Sequence, residues 1–362
     1  MAFYSLVSTL PPTNQQLIII TMSVFVSGAT GYIAQHVVSM LLEENYTVIG
    51  SARSQEKADH LMALFGNNPK LSMVIVPEIS NLDAFDEAFK KHGSEIKVVL
   101  HTASPFRFDV TEIERDLLIP ARNGTLSILE AIKKYAADTV ERVVITSSFA
   151  AMIDFNKTGD KSFTFTEALW NPDTWESSQV DSVHGYCGSK KFAEQAAWKF
   201  LEDNKDVLKF KMSSVNPVNV FGPQMFDSSI SKKLNTSCEV INGVIQNGPD
   251  ADLVPFQGQY VDVRDVARAH MYGFQHDNAI NQRLLMSAGN FVTQDVVNQL
   301  IADFPQLKGK IPVGKPEEGT NGQPWGATLD NSKTKATLGY EFIGFKQTVD
   351  DTVAQILKAG VL

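Results

Sequence analysis

Short apolar runs and amphipathic stretches alternate through the first 215 residues of the chain. Continuous runs rich in Val, Ile and Leu at 24–27, 47–52, 71–76, 97–102, 142–147 and 210–215 predict strands buried on both faces. Between them, stretches with helical spacing of apolar positions lie at 32–44, 55–65, 82–91, 111–136 (interrupted by Pro120) and 186–204. Strands that alternate with helices and are apolar throughout imply a parallel sheet covered on both faces, an α/β doubly wound fold. Its ligand crevice lies beyond the carboxyl ends of the strands. After residue 216 the alternation weakens and loops rich in Gly, Pro and Asn appear, with helical stretches at 263–275, 293–303 and 348–359. This second part reads as a smaller α/β lobe beside the crevice, where a substrate pocket is expected. The expected division is an extension at 1–21, a dinucleotide-binding domain at 22–215, and at 216–362 mainly a substrate-binding lobe, with some segments returning to the first domain.

Composition narrows the class. The chain has 362 residues, of which 43% are hydrophobic and 20% charged, as in a soluble globular protein with a full core. The net charge of −9 does not favour nucleic acid as a partner. Two cysteines, Cys187 and Cys238, make neither a disulfide framework nor a metal motif, so a reducing, cytoplasmic setting and no structural metal are expected. The apolar run Leu17-Ile18-Ile19-Ile20 has no preceding Lys or Arg, follows Pro11-Pro12 and is too short to span a bilayer. No membrane association is expected, and Met22 directly precedes the first strand.

Four motifs carry chemistry. The turn Gly28-Ala29-Thr30-Gly31-Tyr32-Ile33-Ala34 joins the first strand to the first helix. Glycines there let the backbone approach a pyrophosphate, and the helix N-terminus offers N–H donors and the positive end of its dipole. The pattern is G-x-x-G-x-x-A; a tight structural turn is the plainer alternative. At the end of the next strand, where a NAD site carries an acid for the ribose 2′-OH, stands Arg53, 22 residues after Gly31, with Lys57 one helical turn on. Two cations suit a 2′-phosphate and so NADP(H). Glu78, ending the third strand, is placed either to reach an adenine amino group or simply to face solvent. Thr146-Ser147-Ser148 ends the fifth strand at the crevice. Because side chains alternate along a strand, one of the two serines faces the site; Ser148 is chosen as the donor to a carbonyl oxygen.

The fourth motif is Tyr186-Cys187-Gly188-Ser189-Lys190. On a helix, Tyr186 and Lys190 share a face. An ammonium ~4–5 Å from the phenol, at an effective dielectric of ~20, favours the phenolate by roughly 3–4 kcal/mol. That lowers the tyrosine to a pKa of about 7–8, where general acid catalysis is efficient. Asn123, in the long fourth helix, is a candidate to hold a water linking Lys190 to solvent, or a mid-helix polar contact.

These pieces fall in the order and spacing of the extended short-chain dehydrogenase/reductases, and the chain resembles their dihydroflavonol-reductase-like branch and, within it, the fungal NADPH-dependent methylglyoxal (3-methylbutanal) reductases. The stretches that carry the resemblance begin at Met22 (MSVFVSG), Ser51 (SARSQEK), His101 (HTASP), Glu114 (ERDLLIP), Tyr186 (YCGSKKFAE), Phe221 (FGPQMF) and Val261 (VDVRDVA). It leaves residues 1–21 outside. The resemblance implies a Rossmann fold and NADPH as cofactor. It implies Ser148, Tyr186 and Lys190 as catalytic, with Asn123 in support. NADPH would be held by Gly28, Ala29, Thr30, Gly31, Tyr32, Ile33, Arg53, Lys57, Glu78, Ile79, Val220 and Ser237, with Tyr186 and Lys190 on the nicotinamide ribose. Phe149 and Asn219 stand where the near relatives carry Tyr. With Phe106, Ile153 and Val183 they are the candidate pocket residues.

The activity expected is reduction of a small-molecule aldehyde or ketone (methylglyoxal, 3-methylbutanal, diketone or aryl ketone) without a metal, by a monomer or homodimer. The alternatives are a nucleotide-sugar epimerase or dehydratase of the same fold, and a non-catalytic NADP-sensing module.

Overall fold

A computed structural model describes residues 22–105, 110–320, 322 and 326–360. The extension at 1–21 and the pocket candidate Phe106 lie outside the described residues. The chain opens with β1 (Ser23–Ser27), α1 (Tyr32–Glu43), β2 (Thr47–Ala52), α2 (Gln55–Leu64), β3 (Leu71–Ile75), α3 (Asp86–His92) and β4 (Ile96–His101). It continues with α4 (Ile119–Tyr135), β5 (Arg142–Thr146), a short β6 (Thr164–Phe165), α5 (Ser182–Asp203) and β7 (Lys211–Pro217). The remainder comprises β8 (Asn219–Phe221), α6 (Glu239–Gln246), β9 (Gln257–Asp262), α7 (Val263–Gln275), β10 (Arg283–Met286), β11 (Gly289–Val292), α8 (Thr293–Asp303), β12 (Thr328–Leu329), α9 (Ser332–Leu338) and α10 (Phe345–Ala359).

Seven strands form one sheet in the order β10-β7-β5-β4-β1-β2-β3, each pair parallel. The doubly wound α/β expectation is met. Alternation along β1 sorts its residues between two cores. Val24 and Val26 pack with α1 and α7, through Val37, Leu41 and Val266. Phe25, between them, packs on the other face with Ile128 and Ile132 of α4 and Ala197 of α5. The edge strand β3 is only partly buried, as an edge should be. A third core, built on Phe221, Ile241, Val296, Leu300 and Val353, serves the C-terminal part. That part also contributes β10 to the main sheet, paired Leu284↔Val215 with β7.

Three elements depart from the sequence reading. The helix expected at 111–136 is a π-helical turn, Glu114–Leu118, running into α4. Pro120 has no N–H and fits only the first turn of a helix, so the regular ladder begins beside it. The helix α5 starts four residues before Tyr186, because the Asp181 carboxylate accepts from Val183 N (2.8 Å) and His184 N (2.9 Å). A small sheet, β11-β9-β8, was not foreseen; its strands are short and set among Gly- and Asn-rich loops that carry no clear period. Among the described residues no helix is long and apolar enough to cross a membrane.

Buried polar groups set the acid limit of this fold. His270 is fully buried, with Nε2 2.6 Å from Thr146 Oγ1 and Nδ1 2.8 Å from Val266 O. Burial pushes its pKa from 6.5 down to about 4, so it stays neutral in the folded state while the unfolded chain takes up a proton below about 6.5. Its contribution is complete above that value and is lost as pH falls toward about 4. Urea unfolding should therefore show a loss of stability between pH 7.5 and 5, and His270→Gln should reduce that loss by about 2 kcal/mol.

Candidate active site

The strand order reverses between β1 and β4, one half running to β2 and β3 and the other to β5 and β7. At such a switch point the loops after the two strands part and open a crevice. Gly28 sits in its floor with φ +65°, and a Cβ there would stand 3.0 Å from Ala103 of the loop after β4. Gly28 N donates to Ser51 Oγ (3.0 Å) and Ala29 N to Ser51 O (2.9 Å), which pins the turn to β2. The first turn of α1 carries no acidic residue, and its cap Gly31 offers no side chain to the free N–H groups. The turn thus presents donors and the positive end of a dipole to open space.

A cavity of about 590 Å³ extends from this turn past Arg53, Lys57, Glu78 and Ile79. Among the described residues neither Arg53 nor Lys57 has an ion-pair partner, whereas Arg115 on the same cavity is paired with Asp116 at 2.7 Å. Two uncompensated cations over a wall of backbone donors fit an anionic dinucleotide with a phosphate on its adenosine ribose. Glu78 Oε1 accepts from Ser80 N (3.0 Å) and Ser80 Oγ (2.8 Å), so part of its carboxylate serves its own turn.

A second cavity, about 370 Å³, continues from Gly31 past Tyr32 and Ile33 to Ser148, Tyr186, Lys190, Val220 and Ser237. The Tyr32 hydroxyl donates to Gly222 O at 2.7 Å and so ties the glycine turn to the C-terminal part. Tyr186 and Ser148 are hydrogen-bonded to one another. Ser147 turns the other way, its Oγ donating to Glu194 Oε2 at 2.6 Å, which is the alternation expected at a strand end.

The electrostatics differ from the expectation. Lys190 Nζ is 5.7 Å from the centroid of the Tyr186 ring and donates to Ser104 Oγ at 3.0 Å. Burial pushes Tyr186 up to about 12, against a smaller opposite pull from the Ser148 hydrogen bond. Burial likewise pushes Lys190 down to about 8. The simple Coulomb argument kept the pair in a medium of fixed dielectric; the fold takes both groups out of water, and the cost of desolvating a charge dominates.

The third cavity, about 490 Å³, shares Ser148 and Tyr186 with the second and runs out past Phe149, Ile153, Asn219 and Gln259. Phe149 stacks edge-on against Phe165 with centroids 5.3 Å apart, and Asn219 Nδ2 donates to Gln259 O at 2.9 Å. Val183 does not line this cavity; it is 49% exposed in the first turn of α5. Asn123 is half-buried on α4 and is not in the lining of the three cavities described above. Thr125, two residues on, is the α4 residue beside a void of about 20 Å³ next to Lys190. Motif reading also passed over Ser104, although it lies in the HTASP stretch, and Glu194, which closes the YCGSKKFAE stretch.

The profile of the NAD dependent epimerase/dehydratase family matches residues 24–288. The chain is 61% identical over 337 residues to the NADPH-dependent methylglyoxal reductase of Saccharomyces cerevisiae, covering 93% of this chain and 98% of that protein. It is 45% identical to a putative NADPH-dependent methylglyoxal reductase of Candida albicans, covering 92% and 98%. The crystal structure of yeast methylglyoxal/isovaleraldehyde reductase complexed with NADPH superposes with a TM-score of 0.92 at 60% identity, over 94% of this chain and all of that one. With the glycine turn, the switch-point crevice and the Ser148–Tyr186–Lys190 grouping in place, the chain belongs to the NAD dependent epimerase/dehydratase family, the extended short-chain dehydrogenase/reductases.

Proposed function

We propose that the protein is an NADPH-dependent carbonyl reductase that converts small aldehydes or ketones to alcohols. The observation that carries this reading is that Ser148 and Tyr186 line the wall shared by two cavities. One leads back to the glycine turn and the other out to an aromatic-walled pocket, so the two hydroxyls stand where a cofactor ring and a carbonyl substrate would meet. The names of the relatives, methylglyoxal and isovaleraldehyde reductases, support an aldehyde as substrate.

NADPH, when bound, supplies hydride to the carbonyl carbon. Gly28, Gly31 and the first turn of α1 would hold its pyrophosphate, and Arg53 and Lys57 its 2′-phosphate. Ser148 Oγ and Tyr186 Oη would donate to the carbonyl oxygen as negative charge gathers on it. Tyr186 Oη then gives up its proton. A phenol with a pKa near 12 is a reluctant donor, so the charge of Lys190 on the same helix face matters most as the phenolate forms. The partly apolar pocket, with Phe149, Ile153 and Phe165 in its lining, suits aliphatic and aryl carbonyls better than a nucleotide sugar. The buried, free Cys187 and Cys238 are compatible with a cytoplasmic location.

Turnover of NADPH with a panel of α-oxoaldehydes, branched aldehydes and aryl ketones, measured by loss of absorbance, tests the reading. Tyr186→Phe should lower kcat by at least about a hundredfold while leaving NADPH binding intact by fluorescence titration. Arg53→Ala should weaken NADPH about tenfold or more and leave NADH nearly unchanged, since it removes a charge-assisted contact to the 2′-phosphate alone. Reduction should slow as pH rises through about 8, where Lys190 loses its charge, and Lys190→Arg should move that limb upward because a guanidinium stays protonated.

A further inference from the structure

Tyr186, Lys190 and Glu194 recur every four residues on one face of α5. The proposed reaction uses the first two. Glu194 is only 1% exposed, and a carboxylate so deeply buried must be paired and hydrogen-bonded. Its Oε1 accepts from Arg283 Nε (2.6 Å), Trp198 Nε1 (3.1 Å) and Ser214 Oγ (3.2 Å). Its Oε2 accepts from Ser147 Oγ (2.6 Å), Asn216 Nδ2 (2.8 Å) and Arg283 Nη2 (3.2 Å).

Two of these donors flank Ser148. Ser147 precedes it in the chain, and Asn216 Nδ2 also reaches Ser148 O at 3.3 Å. Ser148 itself lies beyond the end of β5, after the last ladder bond, Ser147 N to Val215 O at 2.8 Å. Besides its bond with Tyr186, its hydroxyl has a long contact to Pro217 O (3.4 Å) and a bond from Ala150 N (3.1 Å). The sheet alone therefore does not set where Ser148 stands relative to Tyr186. Arg283, on β10, completes the clamp from the far side. Its Nη1 donates to Glu167 O (2.8 Å) and Leu169 O (2.6 Å), and its guanidinium lies 3.8 Å from the Trp170 ring.

We propose that Glu194 is a positioning residue, which ties the helix bearing Tyr186 to the strand end bearing Ser148 so that both hydroxyls converge on one carbonyl oxygen. The proposal rests on the carbonyl-reductase reading and deepens it. A carboxylate is required because it only accepts, with about four lone-pair sites for the donors that converge on it. A glutamine of the same shape turns an NH₂ toward donors of its own kind and leaves Arg283 without its counter-charge.

The test compares Glu194→Gln, Ser147→Ala and Ser147→Thr in the full-length protein with NADPH. Readouts are kcat and KM for one carbonyl substrate, NADPH affinity by fluorescence, and Tm. Glu194→Gln should lower kcat roughly tenfold or more, the scale expected for a misplaced reacting group, with NADPH affinity unchanged. Ser147→Ala removes a single donor and should lower kcat less, with little change in Tm; Ser147→Thr, which restores a hydroxyl, should recover most of it. If Glu194→Gln fails to fold, the Ser147 pair decides alone. Wild-type kcat in Ser147→Ala, or Ser147→Thr no better than Ser147→Ala, overturns the proposal. Losses in kcat that merely track NADPH affinity overturn it as well. Absence of turnover in the wild type overturns the reductase reading, and the positioning role with it.

Discussion

Parallel pairing of seven strands is the constraint on which the molecule depends. It places the carboxyl ends of β1, β4 and β5 on one side of the sheet, and with them the glycine turn, the HTASP loop and the Ser147-Ser148 pair. Parallel strands need crossovers, and the crossovers are the helices that bury both faces. The reversal of strand order between β1 and β4 then opens a single crevice into which these loops point. The helix α5, packed on α4, delivers Tyr186 and Lys190 to the same place from outside the sheet.

Two buried charges beside one another on α5 are treated in opposite ways. Glu194 is surrounded by donors and matched by a guanidinium. Among the described residues Lys190 has one hydroxyl partner, Ser104, and burial lowers its pKa. A matched carboxylate is rigid and holds its surroundings in register. An unmatched ammonium is strained toward neutrality, and gains most when negative charge forms near it. The first property suits a clamp and the second suits the partner of a phenol that must lose its proton.

Much of this was legible beforehand. The strand at 47–52 and the helices at 263–275 and 293–303 agree with the sequence reading at both ends, because clean periodicity and strong flanking signals coincide there. Ser148 and Tyr186 were named from strand-end and helical spacing, and the fold brings them together. The reading was poorer where a contact comes from a remote segment. The sequence puts Val183 among the pocket candidates, yet the Asp181 cap starts the helix earlier and leaves it exposed. For Asn123 the sequence offers a water link from Lys190 to solvent or a mid-helix polar contact, and does not point to Thr125 and Ser104, the residues that stand beside Lys190 in the fold.

Local pattern was sufficient for the class of fold, the glycine turn, the cationic end of β2 and the shared face of Tyr186 and Lys190, since each depends on residues within a few turns of one another. What only the tertiary structure decided is the state of the charges. Whether a phenol is lowered by a lysine or raised by burial depends on how much water the assembled fold removes from both. Likewise, nothing near Glu194 in the chain reveals that Ser147, Asn216 and Arg283 would converge on it, because those groups come from the residue after β5, from β7 and from β10. Desolvation and long-range hydrogen bonding are properties of the packed whole, and no window of sequence contains them.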